Sequence, residues 1–320
     1  MSEANYSPEA NYSPEANINL LKPADKPCLR QLEYMSPTSR AQFFAHPNDF
    51  YLERIAPVRR PRFPQTQPMS VGSAFDAYVK AVFAEAFRPI LMCDDPSIFD
   101  YDDNGVPVML FESVEEENWN FATTAGKKCL HAYLNSDACY DLVARLKKAT
   151  ALKMESSITC IIKGVPIMGK PDITYTDEHG RQITDDWKVN GYCRTATKSL
   201  LPTAGHLLHK KAVLMDNKGF IHNTVMPKGF KSKYQDQILT YDWLLNDGII
   251  GDMAFVGIDQ LTCNVTGIVT YQHRYIIGKE ESDELITSYQ KAWGILNDYE
   301  LAVEYFGAIV DVPAEIAMER

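Results

Sequence analysis

Two residues of one predicted strand, Asp186 and Lys188, have the types and spacing of a phosphate-cleaving site. Because side chains alternate across a strand, both point to the same face, with about 6.6 Å between their Cα atoms. A third residue, Asp172, lies on the preceding predicted strand. With the intervening turn centred near Glu178, Asp172 faces Thr184 and lies diagonal to Asp186 on the same face.

Two carboxylates on one face repel each other unless a cation lies between them. Oxygen ligands of this kind suit Mg²⁺ or Mn²⁺, which keep coordination positions open for water and for a phosphate. Lys188 could then orient or deprotonate the attacking water and offset negative charge on the phosphate. The pattern therefore predicts hydrolysis of a phosphodiester bond. The alternative is an exposed pattern of charges across two strands, which the tripeptide alone does not exclude.

A longer stretch around these residues resembles the RecB-like and phage-exonuclease branch of the PD-(D/E)XK nuclease superfamily. Glu155 lies upstream, Gly169-Lys-Pro-Asp172 matches the Gly-x-x-Asp motif, and Asp186-Trp-Lys188 matches the Asp-x-Lys motif. The resemblance implies a restriction-endonuclease-like core that cleaves DNA. It also implies that Asp172 and Asp186 are metal ligands, that Lys188 is the catalytic lysine, and that Glu155 opens the strands of the site.

Two further motifs of that branch are present. Gln237 and Tyr241 match its Q-x-x-x-Y motif and share one face of a predicted helix, where they could hold the active site or the DNA backbone. A core tyrosine beside a surface glutamine is the alternative. The stretch from Gly72 to Asp76 matches a G-x-x-x-H motif with Asp in place of His, which implies Asp76 as a third metal carboxylate. An exposed aspartate in mid-helix is the alternative.

Cysteines provide no site of this kind. Iron–sulfur members of the same branch have Cys-Pro where this chain has His46-Pro47, and their C-terminal cysteine cluster has no counterpart here, so no Fe–S cluster is expected. The seven cysteines are scattered without a C-x-x-C pair. This spacing argues against a disulfide framework and against a thiolate metal cluster.

Charge is distributed unevenly along the chain. The net charge is −10, which by itself is unfavourable for contacts with phosphates. Between Lys188 and Lys233, however, nine cations accompany one acid, a net charge of +8 that leaves −18 on the remainder. Because this segment follows the predicted catalytic strand, we expect it to bind DNA, with a solvated lysine-rich loop as the alternative. The predicted DNA-binding residues are Arg194, Lys198, Lys210, Lys211, Lys228, Lys231 and Lys233.

The elements that must position these residues follow from the periodicity of apolar side chains. The pattern predicts helices, then three strands joined by tight turns as an antiparallel meander, and then a helix, two strands and a closing helix. The predicted helices are Val71–Phe87, a helical region Ala125–Leu152, Lys233–Asn246 and Ser282–Phe306. The predicted strands are Glu155–Ile162, Val165–Tyr175, Gln182–Val189, Met253–Asp259 and Gly267–Ile277.

This order of elements predicts an α/β fold of the α+β type, in which helices flank a mixed central sheet that contains the meander. The first 35 residues include repeats of Glu-Ala-Asn-Tyr-Ser-Pro and predict a flexible tail. We expect residues 36–320 to form a single nuclease domain, helical over about 36–152 and with its catalytic core over about 153–306.

Together with the resemblance, these patterns predict a metal-dependent DNA exonuclease or end-processing enzyme, of the type that phages and mobile elements use in recombination or repair. A phosphate-binding helicase motif is missing from the sequence, so a helicase or a single-strand annealing or binding protein would have to be a partner. The alternatives are a DNA-binding scaffold with the nuclease fold and a hydrolase of another phosphate ester. Neither a membrane span nor a secretory signal is readable, so we expect a cytoplasmic protein without a membrane partner, in the host cytoplasm if phage-encoded.

Overall fold

A computed structural model describes the protein over residues 29–61, 64–93, 96–190, 213–215, 221–223, 232–251, 253–263 and 268–310. The N-terminal repeats lie outside these ranges. Of Lys233, the backbone alone is described, within a helix. The other predicted DNA-binding residues lie outside the described residues: Arg194, Lys198, Lys210, Lys211, Lys228 and Lys231.

The described strands form one large mixed sheet and one small hairpin. They are β1 (Leu91–Cys93), β2 (Ala151–Met154), β3 (Ile158–Ile162), β4 (Val165–Gly169), β5 (Ile173–Thr176), β6 (Gln182–Asn190), β7 (Val213–Met215), β8 (Ile221–Asn223), β9 (Met253–Cys263) and β10 (Ile268–Gly278). The sheet has eight strands in the order β1-β2-β5-β6-β9-β10-β7-β8, and β3 pairs with β4 in the hairpin. The β1–β2 and β6–β9 pairs are parallel and the other pairs are antiparallel.

Helices cover both faces of the sheet. They are α1 (Pro37–Ala45), α2 (Pro47–Phe50), α3 (Gln67–Ala86), α4 (Val108–Ser113), α5 (Trp119–Leu134), α6 (Asp137–Leu146), α7 (Ser232–Leu245), α8 (Lys279–Asn297) and α9 (Tyr299–Val310). One buried core lies between the sheet and α3, α5 and α6, and a second lies under α1, α7, α8 and α9. The predicted mixed α/β class is confirmed. Among the described helices, none is long and apolar enough to cross a membrane.

The predicted strand Val165–Tyr175 is wrong in one respect, because it consists of two strands in different sheets. The break falls at Lys170 and Pro171, and proline has no N–H for a strand ladder. As a result β4 belongs to the hairpin, whereas β5 pairs with β2 and β6 in the large sheet. The antiparallel meander of the large sheet is therefore β2-β5-β6, and it does not include the predicted first strand Glu155–Ile162.

Two predicted helices are also interrupted. The region Ala125–Leu152 contains the C-terminal part of α5, all of α6 and the beginning of β2. Ser136 caps α6 by accepting a hydrogen bond from Cys139 N. The predicted closing helix is divided into α8 and α9 at Asp298, whose Oδ1 accepts a hydrogen bond from a backbone N–H of α9. In both places a short polar side chain satisfies the free N–H groups at a helix start, which favours a new helix there.

Strand β6 lies between the two cores and presents a different face to each. Ile183 and Trp187 pack into the core formed with α3, α5 and α6. Asp186 and Lys188 have the opposite parity and therefore face α7. The predicted strand and the predicted shared face of Asp186 and Lys188 are both confirmed.

Candidate metal centre

Asp172 and Asp186 lie opposite each other where β5 begins. The ladder between β5 and β6 ends with the pair Ile173 and Asp185, so the next register position joins Asp172 to Asp186. Asp172 Oδ2 also accepts a hydrogen bond from the backbone N–H of Trp187, at 2.9 Å. Two carboxyl groups from adjacent strands thus meet on one face of the sheet.

The predicted register placed Asp172 diagonal to Asp186 and opposite Thr184, and this detail was wrong. Thr184 pairs with Thr174 instead. The turn is centred one residue later than predicted, and Gly180 closes it in the left-handed region with φ of +77°. The shift brings the two acids into direct opposition, which is a closer arrangement than the diagonal one.

These two carboxyl groups have opposite pKa shifts. Burial and then the charge of Asp172 raise the pKa of Asp186, which is 1% exposed, well above its usual range. Burial alone would also raise the pKa of Asp172, but Lys80 and then Lys188 lower it below its usual range. Among the described residues, none donates a hydrogen bond to Asp186 Oδ1. A cation beside this buried oxygen would remove the repulsion between the two acids.

Lys188 lies next to Asp186 on the same face of β6. Its Nζ forms an ion pair with Asp186 Oδ2 and lies 5.4 Å from the ring centre of Tyr234 on α7. Burial alone would lower the pKa of Lys188, but the charges of Asp186 and then Asp172 raise it above its usual range. Lys188 is therefore a fixed ammonium group beside the acid pair.

A second group of acids adjoins Asp172. Carboxylate oxygens of Asp76 on α3, of Glu155 after β2 and of Asp172 all lie within 4.8 Å of one another. This acidic triad could bind a metal ion, and its oxygen donors are of the kind that Mg²⁺ and Mn²⁺ accept. The structure thus brings three of the predicted site residues together, with Asp172 shared between the triad and the Asp186 pair.

A lysine that the sequence analysis did not identify lies among the oxygens of the triad. Lys80 Nζ is 2.5 Å from Asp76 Oδ2 and 3.1 Å from Asp172 Oδ1, and it forms a third ion pair with Glu155 Oε1. Its side chain is 4% exposed. The sequence contained a signal for it, because Lys80 follows Asp76 by one helical turn in the otherwise uncharged stretch Ala77–Phe83.

Glu155 has an unusual backbone as well as two ion pairs. It follows β2 in the left-handed region, with φ of +56°, and does not open a strand as predicted. Its buried side chain forms ion pairs with Lys80 and with Lys170. Left-handed conformations are uncommon for residues other than glycine and cluster at functional sites. The backbone here directs a carboxylate towards Asp172.

Gln237 and Tyr241 lie one turn apart on α7 and form a pair, in which Gln237 Nε2 donates a hydrogen bond to Tyr241 Oη at 2.8 Å. Burial and then the charge of Asp186 raise the pKa of Tyr241, which places this hydroxyl in the same electrostatic environment as the acids. The ring of Tyr241 packs on Gly169, where a Cβ atom would lie only 2.7 Å from it. Tyr241 is thus a core residue that also borders the site.

A buried hydrogen-bond chain supports the site from the opposite face of β6. The indole N–H of Trp187 donates to Tyr133 Oη at 2.9 Å, and Tyr133 donates to Asp259 Oδ2 at 2.6 Å. Because the backbone N–H of Trp187 binds Asp172, this chain helps to fix the position of the shared carboxylate.

Comparisons with known proteins give little further information. No family model and no curated protein matches the sequence. Among solved structures, the chain is similar to one titled "Crystal structure of SSO0001", with 9% sequence identity over 79% of this chain and 89% of that chain, and with a TM-score of 0.26. A TM-score of this size supports no conclusion about fold or function.

Proposed function

We propose that the protein is a metal-dependent DNA nuclease with a restriction-endonuclease-like core of the PD-(D/E)XK type. The observation that carries this proposal is the pair Asp172 and Asp186 on adjacent strands, with Lys188 beside it and a buried Asp186 oxygen that accepts no hydrogen bond from the described residues. Ligands for a divalent cation next to a fixed ammonium group are a combination that can catalyse hydrolysis of a phosphodiester.

The donor set fits Mg²⁺ or Mn²⁺. Asp172 and Asp186 would hold the ion, since both are hard oxygen ligands and their mutual repulsion would be relieved. When bound, the ion supplies Lewis-acid chemistry, in which it polarises a phosphate oxygen and lowers the pKa of a water molecule. The sulfur ligands of an Fe–S cluster form no part of this donor set.

Lys188 has the complementary role in the proposal. Burial alone would lower the pKa of Lys188, but the charges of Asp186 and then Asp172 raise it, which favours the ammonium form. Lys188 would hold a water molecule or a phosphate oxygen by a hydrogen bond and offset the charge that develops during cleavage. Gln237, which donates a hydrogen bond to Tyr241 one turn along the same helix α7, would add an amide donor for the nucleic-acid backbone.

DNA is the proposed substrate because the segment from Lys188 to Lys233 carries a net charge of +8 and begins on the catalytic strand. The resemblance supports an exonuclease or an end-processing enzyme in recombination or repair, of the phage or mobile-element type, in the cytoplasm. A helicase or a single-strand annealing or binding protein is the proposed partner, since the sequence has no motif for unwinding.

Incubation of the purified chain with end-labelled linear DNA and with closed circular DNA tests the proposal. We expect cleavage with Mg²⁺ or Mn²⁺ and none in EDTA, with circular DNA resistant to an exonuclease. Asp186→Asn should abolish cleavage because it removes a ligand of the metal ion, and Lys188→Met because it removes the ammonium group that would bind the water or the phosphate. Activity of Asp186→Asn equal to that of the wild type would refute the proposal.

A DNA-binding scaffold with the same fold is the second candidate. The position of Lys80 favours it, because this ammonium group pairs with all three acids of the triad without any metal. A scaffold would bind linear DNA equally well in EDTA and in Mn²⁺ and would cleave neither substrate. A melting temperature that does not respond to Mn²⁺ would support the scaffold over the nuclease.

A further inference from the structure

The ammonium group of Lys80 has one N–H donor available for each acid of the triad. An ammonium group has three N–H donors, and here each of its three carboxylate partners, Asp76, Glu155 and Asp172, comes from a different element of the fold. A buried lysine is stable only when its charge is paired, and this one is paired completely. Lys80 therefore already places one positive charge in contact with all three acids of the triad.

Helix α3 is fixed in position around Lys80, whose own side chain is almost fully buried. Val79 and Phe83 on either side of it are buried in the core between α3 and the sheet. On the neighbouring helix, a Cβ atom at Gly126 would lie 2.8 Å from Ala74 Cβ, so α3 and α5 are in close contact. An ion that entered the triad would leave a desolvated ammonium group without its partners.

We propose that Lys80 takes the place of a second divalent cation, so that the native centre binds one divalent ion, at Asp172 and Asp186, and not two. This inference rests on the proposed function for the ion at the acid pair. Asp76 and Glu155 then bind Lys80 and do not contact the ion. They affect it only indirectly, because Lys80 also pairs with Asp172, which is a ligand of the ion. Removal of the ammonium group opens the triad to a second ion.

The number of charges supports one ion. With all groups ionised, four acids and three lysines give the metal-free centre a net charge of −1. One divalent ion changes this net charge to +1. The single negative charge of one phosphodiester then brings the net charge of the complex to zero. A second divalent ion would leave an excess of two positive charges on that complex. The groups counted are Asp76, Glu155, Asp172, Asp186, Lys80, Lys170 and Lys188.

The test measures how many Mn²⁺ ions the full chain binds, by the loss of the free-Mn²⁺ signal in electron paramagnetic resonance and by calorimetry. The variants are Lys80→Met, which keeps the length of the side chain without its charge, and Lys128→Met, which removes an exposed lysine from α5. We expect one ion in the wild type and in Lys128→Met, and two ions in Lys80→Met.

The outcomes separate this inference from the proposed function. Two ions in the wild type, or the same number in Lys80→Met as in the wild type, would overturn the role of Lys80 and leave the nuclease proposal standing. No ion in the wild type but one in Lys80→Met would refute the metal site at Asp172 and Asp186, and with it the count of one native ion, but would support Lys80 as the group that keeps an ion out of the triad.

Stability provides a second readout in case Lys80→Met folds poorly. Without its ammonium group the triad should destabilise the metal-free chain, and Mn²⁺ should restore folding more strongly in this variant than in the wild type. If the single variant does not fold even with Mn²⁺, Lys80→Met with Asp76→Asn removes one acid as well. That double variant should bind one more ion than Asp76→Asn alone, and equal binding would count against the inference.

Discussion

Asp186 has a buried carboxyl group whose pKa is higher in the folded chain than in the unfolded chain. Protonation of such a group contributes stability below the unfolded pKa of about 3.9, and this contribution is lost as the pH rises through the folded pKa. The pKa of Asp76 shifts in the same direction although 36% of its side chain is exposed: desolvation and then the charge of Asp172 raise it to about 6, against the opposing charge of Lys80. Without a metal ion, the chain should therefore lose stability between mildly acidic and neutral pH.

We expect Asp186→Asn to stabilise the metal-free chain at neutral pH while it abolishes cleavage, because Asn keeps the size of the side chain and introduces no buried charge. The melting temperature in EDTA should rise by about 2–4 °C, which corresponds to about 1 kcal/mol. Melting curves at several pH values check this expectation, and the difference from the wild type should shrink towards acidic pH. Asp103→Asn, at an exposed position, is the control and should change neither property.

Binding of a divalent metal ion should offset the repulsion between the buried carboxyl groups of Asp172 and Asp186. Binding to the folded state alone at a concentration of 100 times Kd would stabilise the wild type by about 2.7 kcal/mol. The melting temperature should therefore rise when Mn²⁺ replaces EDTA, and Asp172→Asn should respond much less because it removes a shared ligand. An equal response of wild type and Asp172→Asn would mean that the ion binds elsewhere.

At the scale of elements, helix α7 positions the Gln237–Tyr241 pair and is held from both sides. Arg40 on α1 forms an ion pair with Asp236 and donates a hydrogen bond to Ser288 Oγ at 2.9 Å, which joins α1, α7 and α8. Beneath α7, the hairpin strand β4 ends at Gly169. The close approach of helix and hairpin there depends on the missing side chain.

Gly169→Ala should destabilise the chain by about 1–3 kcal/mol, because the new Cβ atom would meet the Tyr241 ring and Leu244 Cδ1 at less than 3 Å. Gly72→Ala is a matched control within α3, where nothing lies within 4 Å of the new atom. It should stabilise the helix by about 0.5–1 kcal/mol. Chemical denaturation of the two variants measures both effects, and a neutral Gly169→Ala would show that α7 can shift freely.

Helix α6 is attached to the opposite face of β6 by a buried ion pair. Arg145 Nη1 lies 2.6 Å from Asp185 Oδ2, which also accepts a hydrogen bond from Tyr175 Oη at 3.2 Å. Breaking a fully buried pair costs about 3–5 kcal/mol, and we expect about 2–3 kcal/mol for Arg145→Met because a quarter of the Arg145 side chain is exposed. Adding Asp185→Asn should recover part of this loss in denaturation experiments, whereas an additive loss would contradict a coupled pair.

At the scale of the whole molecule, an acidic chain is proposed to bind DNA through one basic segment. Replacing Lys210, Lys211, Lys228 and Lys231 with Gln should reduce the slope of log K against log salt concentration by about 0.7–0.9 for each phosphate that the variant no longer neutralises. DNA binding measured over a range of salt concentrations checks this slope.

The matched control replaces the exposed lysines Lys127, Lys128, Lys147 and Lys148 with Gln, which changes the net charge by the same amount on α5 and after α6. This control should keep the salt slope of the wild type. An equal decrease of the slope in both quadruple variants would indicate that net charge, and not the basic segment, determines binding.

Local patterns in the sequence were sufficient to predict several features of this protein. The shared face of Asp186 and Lys188 follows from the two-residue period of a strand, and the proximity of Gln237 and Tyr241 follows from the helical turn. The mixed α/β class followed from the order of helical and strand patterns. All of these depend on neighbours within a few residues, which the sequence shows directly.

The other features of the fold and of the site depended on contacts between residues that are far apart in the sequence. Whether β5 pairs with β2 or with β4 depends on contacts across the sheet, and the interruption at Pro171 separated two strands that one apolar pattern had joined. The same pairing determined the register that places Asp172 opposite Asp186. Lys80 entered the acidic triad because helix α3 brings it within ion-pair distance of Glu155, which follows β2, and the sequence alone does not specify how a helix and a strand some seventy residues apart come together.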